Sequence, residues 1–417
     1  MDLLAEAEKY TVDSNEVVEF KMVKRVSDLE DDSCSFKPEM SHQIFGQQET
    51  IFGYLDLKIK LYFTPGRLFD YVNIEYTDKI DPDQFNGVKP DDIMEALKKL
   101  YTFDMNTSLD KFVTSLDKEP HFKPSGELFH SFKHTTVCTT GNPSERTYEL
   151  YSVDQVDPDM VSYLSRVQPF LLWYIDCACF VDTDDERWSY FFLYEKYQND
   201  SQETCYGLAG YATVYKYYTT PFSLPPKWRP RISQVFVLPP YQRSGLGPRL
   251  YDAICRRYVQ DKDVVSITVE DPSEECQSMR DYVDVSNCAK LTGWSKEQLV
   301  AGYTPAMEKQ VYEELKLCKK QARRVYEILR LGATNMNNSS EYKQYRLLVK
   351  NRLNAPHQKD VNYQKRLNKV LKPEEMKTFS CLDTEQQRKD KLHSEYKELE
   401  KAYLKVIERV KNYPFEN

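Results

Sequence analysis

The feature that most restricts the fold is a glycine-containing turn between an apolar run and an amphipathic segment. The run 232–238 (ISQVFVL) has the composition of a strand, and 242–258 (QRSGLGPRLYDAICRRY) begins with polar residues and glycines and continues at helical spacing. Backbone N–H groups at a helix N-terminus are unpaired donors with partial positive charge, so such a turn suits a phosphate group. An ordinary strand-to-helix turn is the alternative that this motif alone leaves open.

Two common phosphate-binding loops are excluded because the sequence lacks residues that they require. A P-loop requires a Gly-Lys pair, and the chain contains none. The dinucleotide-binding fingerprint requires a third glycine, but Gly245 and Gly247 are followed by Pro248, Arg249 and Leu250. The remaining pattern is Q-x-x-G-x-G, in which glycines allow close backbone approach and Pro248 suits a first helical turn.

The predicted elements around this turn follow the order β-β-β-turn-α-β. Segments 190–197 and 206–218 are rich in aromatic residues and flank a short polar connection, which predicts an antiparallel hairpin. The proline-rich segment 219–231 predicts a loop that excludes strand and helix. The helix after the turn is expected to end near residue 259, and segment 263–269 predicts another strand.

The N-terminal part of the chain predicts an α+β lobe. Segment 51–63 alternates as a strand does, and 91–101 has helical spacing. We expect Asp91 or Asp92 to cap this helix. Its predicted apolar face consists of Ile93, Leu97 and Leu100.

The pattern becomes helical after residue 295. Segment 308–331 repeats apolar residues every three or four positions, which predicts one long helix with Gly332 as its C-cap. Segment 388–413 predicts a charged, loosely attached helix. The whole chain therefore predicts a mixed α/β or α+β fold. Its expected parts are an N-terminal α+β lobe (1–125), a core (126–295), a C-terminal helical domain (296–350) and a charged helical tail (351–417).

Charge is distributed unevenly along the chain. Residues 1–300 carry 32 Lys and Arg against 49 Asp and Glu, whereas residues 301–417 carry 25 against 16. Acidic clusters lie at 28–32 and 182–186. An acidic field of this kind repels nucleic acid and attracts cationic partners, although a surface kept soluble by its charge has the same composition.

Several classes of protein are not expected from the sequence. The longest apolar run, 169–181, is too short to span a bilayer and contains Asp176, and the acidic N-terminus lacks the features of a signal peptide. The ten cysteines are scattered, as in reduced proteins of the cytosol or nucleus, and Cys177 and Cys179 are predicted to lie in a buried strand. The six histidines show no metal-ligand spacing, so we expect no metal site.

The order of elements and the Q-x-x-G-x-G pattern together resemble the GNAT superfamily of N-acetyltransferases. The resemblance implies a largely antiparallel mixed sheet with flanking helices, and acetyl-CoA as the co-substrate. It implies that the pantetheine arm of the coenzyme binds Val235, Phe236 and Val237, with Ser273 near the arm. The implied pyrophosphate loop consists of Gln242, Arg243, Ser244, Gly245, Leu246, Gly247 and Pro248.

An acidic pair, Glu270 and Asp271, directly follows the predicted strand 263–269. Acetyl transfer to an amine requires the neutral amine, yet a free lysine has a pKa of about 10.4. A carboxylate within reach can accept the proton as the amine attacks the thioester. The alternative is that these residues, with Pro272, form only an acidic turn that begins a helix.

Longer segments resemble one family within this superfamily, the type B histone acetyltransferase catalytic subunits. The segments, in the order of that family, are 44–59, 173–197, 228–247, 267–273 and 321–331. The resemblance implies transfer of acetyl from acetyl-CoA to lysine amines of newly made free histones, chiefly in the N-terminal tail of histone four. The sequence contains no nucleophilic triad, so we expect direct attack by the amine without an acyl-enzyme. Glu270 then corresponds to the general base and Asp271 to its acidic neighbour. Asp176 corresponds to a third acidic position that is normally glutamate.

The same resemblance implies a peptide-binding groove. Its implied residues are Gln47, Gln48, Glu49, Trp188, Tyr215, Lys216 and Tyr217. Gln47 and Gln48 replace residues that are often acidic, and Lys216 adds a positive charge. Attraction of a basic tail therefore depends more on Glu49 and the acidic cluster 182–186 than on Gln47 and Gln48. Tyr215 and Tyr217 alternate along one predicted strand, so they share a face, as strand-core aromatics would too.

The resemblance also implies partners and a location. The partners are histone four with histone three as its dimer partner, and a WD-repeat histone chaperone subunit. The implied location is the nucleus and cytoplasm, without membrane association.

Three other readings stay open. One is an acetyltransferase for another protein or a polyamine, and another is a non-catalytic histone-binding scaffold. The third is DNA binding through basic residues in the predicted helix 308–331, although no recognition helix is evident and direct DNA binding is not expected.

Overall fold

The structure is a computed structural model that divides into two compact units. It describes residues 7–415 except 84, 86, 138–142, 221–225 and 368–383. The first unit comprises Met1–Pro221 and Pro230–Arg257, and the second comprises Phe222–Arg229 and Tyr258–Asn417. The finer division at residues 125, 295 and 350 stays a prediction. No helix in the described part of the chain is both long and apolar enough to cross a membrane.

Short strands and helices make up the N-terminal part of the first unit. The strands are β1 (Thr11–Asp13), β2 (Val18–Met22), β3 (Ser35–Phe36), β4 (Thr50–Phe52), β5 (Tyr54–Leu55), β6 (Lys58–Phe63), β7 (Asp70–Glu75) and β8 (Asp78–Lys79). The helices are α1 (Ser14–Val17), α2 (His42–Phe45), α3 (Ile93–Leu100) and α4 (Leu109–Leu116). Strands β3, β2, β6 and β7 form a sheet in that order, in which β2 and β6 are parallel.

Helix α3 confirms the prediction for segment 91–101. The side chain of Asp92 accepts a hydrogen bond from the backbone of Glu95 at 2.9 Å, and Ile93, Leu97 and Leu100 are buried. The prediction of one strand over 51–63 is wrong. Gly53 and Asp56 have φ values of 102° and 51°, and left-handed backbone at these points divides the segment into three strands.

A larger sheet forms the rest of the first unit. Its strands are β9 (Glu127–Val137), β10 (Pro143–Val153), β11 (Trp188–Gln198), β12 (Thr204–Thr220) and β13 (Lys227–Val237). They are ordered β13-β12-β11-β10-β9. The remaining helices of this region are α5 (Pro158–Val167), α6 (Pro169–Leu172) and α7 (Leu246–Val259). Strands β11 and β12 pair antiparallel, which confirms the predicted hairpin.

Two predictions in this unit are wrong. Segment 219–231 was expected to contain no strand, but β12 extends to Thr220 and β13 begins at Lys227 and includes Pro230. Proline has the φ value of extended backbone, so a strand accepts it where its missing N–H is not needed. Cys177 and Cys179 do not lie in a buried strand: both are exposed, and Cys177 has a φ of 56° in the turn after α6.

The second unit is mostly helical. It contains β14 (Thr268–Val269) and the helices α8 (Glu274–Cys288), α9 (Lys296–Ala301), α10 (Pro305–Leu315), α11 (Lys319–Ala333), α12 (Ser339–Leu367) and α13 (Glu385–Asn412). The strand predicted over 263–269 is shorter than expected. Val264 and Ile267 form only isolated parallel bridges, to Trp228 and Leu317, and the strand is limited to the two residues of β14.

The single helix predicted over 308–331 is interrupted. Lys316 has a φ of 54° and its carbonyl accepts a hydrogen bond from the backbone N–H of Ile267 at 2.8 Å, which separates α10 from α11. Gly332 lies inside α11, and Thr334 is the C-cap, so the predicted cap is also wrong.

The C-terminal tail is helical, as predicted, but it is not loosely attached. Tyr396, Tyr403 and Val406 of α13 are at most 2% exposed. The buried carboxylate of Glu327 on α11 accepts hydrogen bonds from Arg352 of α12 at 2.6 and 2.8 Å and from the Tyr403 hydroxyl at 3.0 Å. One carboxylate thus joins three helices of the second unit.

We predict that Glu327→Ala destabilises the second unit by about 3–5 kcal/mol, because it leaves the Arg352 guanidinium without its partner. Chemical denaturation followed by circular dichroism measures the change. Glu385→Ala, which removes an exposed pair with Lys389, is the matched control and should change stability little. Equal effects of the two substitutions would contradict the structural role of Glu327.

Candidate functional site

The turn between β13 and α7 is held by its own polar side chains. A short 3-10 helix, Pro239–Tyr241, follows β13. The Gln242 side-chain amide donates to the Val237 carbonyl at 2.9 Å, and the Ser244 hydroxyl donates to the carbonyl of Tyr241. These bonds tie the start of the turn to the end of the strand, and helix α7 begins immediately after it.

The backbone of this turn leaves several donors available. Arg243 and Gly245 have φ values of 58° and 88°, the left-handed region that glycine adopts without strain. Leu246 and Gly247 belong to the first turn of α7, where backbone N–H groups have no acceptor within the helix. Unpaired N–H groups at the first turn of a helix form a site for an anion.

Strands β12 and β13 approach closely next to this turn. A Cβ atom at Gly210 would lie 3.1 Å from the Phe236 carbonyl oxygen, and the Leu238 N–H donates to the Ala209 carbonyl at 3.0 Å. Phe236 is buried and stacks on Tyr174. The alternate residues Val235 and Val237 are partly exposed. The side chain of Phe236 therefore belongs to the core, and this part of β13 offers its backbone and its two valines.

A histidine that the sequence did not single out joins two predicted site residues. His42 Nε2 lies 3.1 Å from Asp176 Oδ1, and His42 Nδ1 lies 3.5 Å from Glu49 Oε1. The Gln43 side chain donates to the Ala178 carbonyl at 2.9 Å, which holds the two segments together. His42 is far from Asp176 in sequence and lies in no recognisable motif, so only the fold reveals their proximity.

Three hydrogen bonds stabilise the ionised form of Glu49. Its carboxylate accepts hydrogen bonds from the backbone N–H of Ser41 at 2.6 Å and of His42 at 3.0 Å, and from the Asn15 side chain at 2.9 Å. The Ser41 N–H contributes most to keeping the pKa of Glu49 below its usual value. Gln47 and Gln48 are exposed in the same turn.

Aromatic residues of β11 and β12 form a continuous row. Trp188 pairs with Tyr215 across the strands with ring centroids 4.7 Å apart, and Tyr215 lies 4.6 Å from Tyr217. Asp185 accepts hydrogen bonds from the Arg187 guanidinium and the Tyr215 hydroxyl, and the bond from Arg187 is the main reason that its pKa falls to about 2. The two tyrosines share a face, as the alternation predicted.

Lys216 lies between these tyrosines in sequence but has a different partner. Its Nζ contacts Asp154 Oδ1 at 3.0 Å, and Asp154 also accepts a hydrogen bond from the Ser189 hydroxyl. Side chains of successive strand residues point to opposite faces, so Lys216 does not join the row of Tyr215 and Tyr217. Its predicted role in substrate binding stays a prediction.

The acidic pair lies in the second unit. Glu270 and Asp271 occupy the bend between β14 and α8, and Asp271 has a φ of 24°. The Ser273 hydroxyl accepts a hydrogen bond from the Cys276 N–H at 3.2 Å and caps α8. The pair thus stands at a turn that begins a helix, which is compatible with either reading of its sequence. No group of side chains suited to a metal ion occurs in the described residues.

Comparison with known proteins gives three family matches, of which the first two overlap at residues 146–176. Residues 10–176 match "Histone acetyl transferase HAT1 N-terminus", and residues 146–279 match "Acetyltransferase (GNAT) family". Residues 280–331 match "Histone acetyltransferase type B catalytic subunit, C-terminal". The GNAT match confirms the predicted fold class.

Full-length relatives have the same family name. The histone acetyltransferase type B catalytic subunit of Mus musculus is 38% identical over 402 residues, covering 96% of this chain and 94% of the relative. The Homo sapiens subunit is 37% identical with the same coverage. A Dictyostelium discoideum subunit is 32% identical, covering 82% of this chain and 76% of the relative. The chain therefore belongs to the family of type B histone acetyltransferase catalytic subunits, with a GNAT acetyltransferase domain.

Proposed function

We propose that this acetyltransferase modifies lysine side chains of newly synthesised free histones, chiefly in the N-terminal tail of histone four. GNAT acetyltransferases use acetyl-CoA, and the acetyl group comes from that co-substrate. The observation that carries the proposal is the turn before α7, where left-handed backbone at Arg243 and Gly245 leads into the unpaired N–H groups of the first helical turn. A pyrophosphate supplies the acceptor oxygens that such donors require.

The coenzyme-binding residues are proposed on this basis. The turn from Gln242 to Pro248 receives the pyrophosphate, and the left-handed backbone at Gly245 supports close approach. The pantetheine arm pairs with the backbone of β13 from Val235 to Val237, where both valines are partly exposed. Ser273 contributes its hydroxyl hydrogen, because its oxygen already accepts the bond that caps α8.

The histone tail is proposed to bind the acidic and aromatic residues of the first unit. Glu49 presents an ionised carboxylate, and the exposed carboxylate of Asp176 is oriented by His42. Tyr217 is 39% exposed at the end of the aromatic row and provides a flat surface for a peptide. These features attract and orient a lysine-rich segment.

The chemical step is proposed as direct attack without an acyl-enzyme. The neutral lysine nitrogen bonds to the thioester carbonyl carbon, the carbon–sulfur bond breaks, and the coenzyme leaves as its thiol. Glu270 accepts the proton from the amine, and Asp271 adds negative charge that favours the cationic substrate. Asp176 has a shorter side chain than the glutamate usual in the family, and we assign it to orientation of the substrate.

Partners and location are proposed from the family alone. They are histone four with histone three as its dimer partner, a WD-repeat histone chaperone subunit, and the nucleus and cytoplasm.

The alternative of DNA binding through α11 has little support, because several of its basic side chains already have acidic partners. Arg324 contacts Asp281 at 2.7 Å, and Lys319 contacts Glu308 at 2.9 Å.

We expect Glu270→Gln to lower kcat by roughly 10²–10⁴-fold, because the amide cannot accept the proton. Acetyl-CoA affinity, measured by calorimetry, should change little. Glu275→Gln, an exposed neighbour in α8, is the matched control and should retain normal turnover. Near-normal kcat in Glu270→Gln would remove this residue from the role of base.

We predict that acetyl transfer to a histone-four tail peptide has a higher kcat/KM than transfer to spermidine or to an unrelated peptide of equal positive charge. The physical reason is that a row of aromatic rings beside fixed carboxylates recognises a peptide and not charge alone. Initial rates at matched concentrations measure the difference. Equal values for the three acceptors would refute the histone assignment and favour a general amine acetyltransferase.

Tyr217→Ala should raise the KM for the histone-four peptide roughly threefold to tenfold by removing an aromatic contact, while kcat and the KM for acetyl-CoA stay near normal. Tyr218→Ala removes an exposed tyrosine from the adjacent position and is the matched control. An unchanged KM in Tyr217→Ala, or an equal increase in both variants, would contradict the placement of the peptide on this face.

A further inference from the structure

A cavity of about 670 Å³ in the first unit has four Lys and Arg side chains and one acidic side chain in its lining. It lies between α5, the segment 118–125 and strand β11. Its cationic and titratable lining residues are Arg67, Lys118, His121, Lys123, Arg166 and Asp159. A smaller cavity of about 380 Å³ shares Arg67 and Lys118 and adds Lys111 and Asp110. Both volumes are of the size that binds small ligands.

Two arginines at the base of this cavity are incompletely neutralised. Arg67 and Arg166 are half-buried, and neither guanidinium forms an ion pair with a carboxylate in the described residues. One N–H of Arg166 donates to the Arg67 carbonyl at 3.1 Å, which leaves its other donors available. Burial is the main reason that the pKa of Arg166 is lowered; the carboxylate of Asp70 opposes this effect, and the neighbouring Arg67 cation adds to it. Two desolvated cations of this kind favour an anionic partner.

Two buried carboxylates, Asp70 and Glu119, interact electrostatically with Arg166 and Arg67, but neither forms an ion pair with these arginines in the part of the chain that the structure describes. Glu119 accepts hydrogen bonds from the backbone N–H groups of Gly66 at 2.8 Å and Arg67 at 3.3 Å. It therefore supports the loop that carries Arg67 and makes no ion pair with the guanidinium. Two aromatic residues, Phe122 and Tyr163, also line the cavity, and their rings stack with centroids 5.7 Å apart. A rigid wall holds the cationic groups in place.

The cationic cavity contrasts with the charge around it. Residues 1–300 carry 49 Asp and Glu against 32 Lys and Arg, yet Asp159 is the one acidic residue among those that line the larger cavity. An acidic surrounding field repels an extended polyanion such as DNA, whereas a small anion can enter a local cationic cavity. The planar guanidinium is suited to phosphate because it donates two parallel hydrogen bonds.

We propose that this cavity is a binding site for a phosphate group with two negative charges, held by Arg67 and Arg166 and attracted by Lys118 and Lys123. The site is separate from the coenzyme turn and from the aromatic row of β11 and β12, and none of its residues belongs to the proposed reaction. The phosphate is either free or carried by a phosphorylated peptide, and the experiment distinguishes these two sources.

Isothermal titration calorimetry on the full chain tests the proposal. Inorganic phosphate, a phosphoserine peptide and the same peptide without phosphate are titrated separately, in chloride buffer. Saturating coenzyme A is present so that phosphate cannot be measured at the coenzyme turn. We expect saturable binding of inorganic phosphate and of the phosphopeptide, and none of the unphosphorylated peptide.

Variants locate the binding site. Arg67→Gln should weaken phosphate binding at least roughly tenfold, and Arg67→Lys should weaken it less, because it keeps the charge but loses the paired donors. Arg25→Gln, at an exposed ion pair with Asp200 outside the cavity, is the matched control and should bind normally. The exposed rim variant Lys118→Gln with Lys123→Gln should also weaken binding, and it tests the site without disturbing buried groups.

Each outcome decides the proposal. Tighter binding of the phosphopeptide than of inorganic phosphate supports a peptide-borne ligand, and equal affinities support a free phosphate. Equal phosphate affinity in the wild-type protein and in Arg67→Gln would overturn the site, as would the absence of phosphate binding. Displacement of phosphate by a short DNA duplex from the wild-type protein would also overturn it and would indicate a nucleic-acid surface instead.

Discussion

The antiparallel pairing of β11 with β12 is the constraint on which the first unit depends. Its register runs from Trp188 opposite Tyr215 to Gln198 opposite Thr204. That register buries Tyr190, Phe191, Phe192, Leu193 and Tyr194 in the core and places the row of Trp188, Tyr215 and Tyr217 on one face. A shift of one residue would move every side chain to the opposite face. The aromatic row and the core are therefore two consequences of a single alignment of strands.

The proposed acetyl-CoA site follows from the neighbouring strand and its turn. Gly210 of β12 allows the carbonyl of Phe236 to come close, and the bond from Gln242 to Val237 then directs the chain from β13 into α7. The same geometry places Leu246 and Gly247 in the first turn of α7, where N–H groups have no acceptor within the helix. On the acceptor side, polar contacts from His42 and Gln43 hold the segment around Asp176 against the N-terminal part of the unit. Most of these groups are fixed by hydrogen bonds and packing before any ligand binds.

Local patterns predicted the features that depend on neighbouring residues. The spacing of Ile93, Leu97 and Leu100 predicted α3, and the contiguous turn from Gln242 to Pro248 could be read directly. Features that depend on distant partners could not be predicted. Helix α11 was expected to be continuous with α10. The helix is interrupted at Lys316, whose carbonyl accepts a hydrogen bond from the backbone N–H of Ile267. The contact of His42 with Asp176 and the clustering of Arg67 with Arg166 likewise arise only when remote segments fold together. Sequence periodicity does not predict contacts between residues that are distant in the chain.

We propose above all that this chain acetylates free histone four. The most direct measurement is mass spectrometry of histone four, in complex with histone three and without DNA, after incubation with the protein and acetyl-CoA. We expect acetylation of lysine side chains concentrated in the N-terminal tail of histone four. An absence of acetylation, or acetyl groups spread over the folded regions of both histones without preference for that tail, would contradict it.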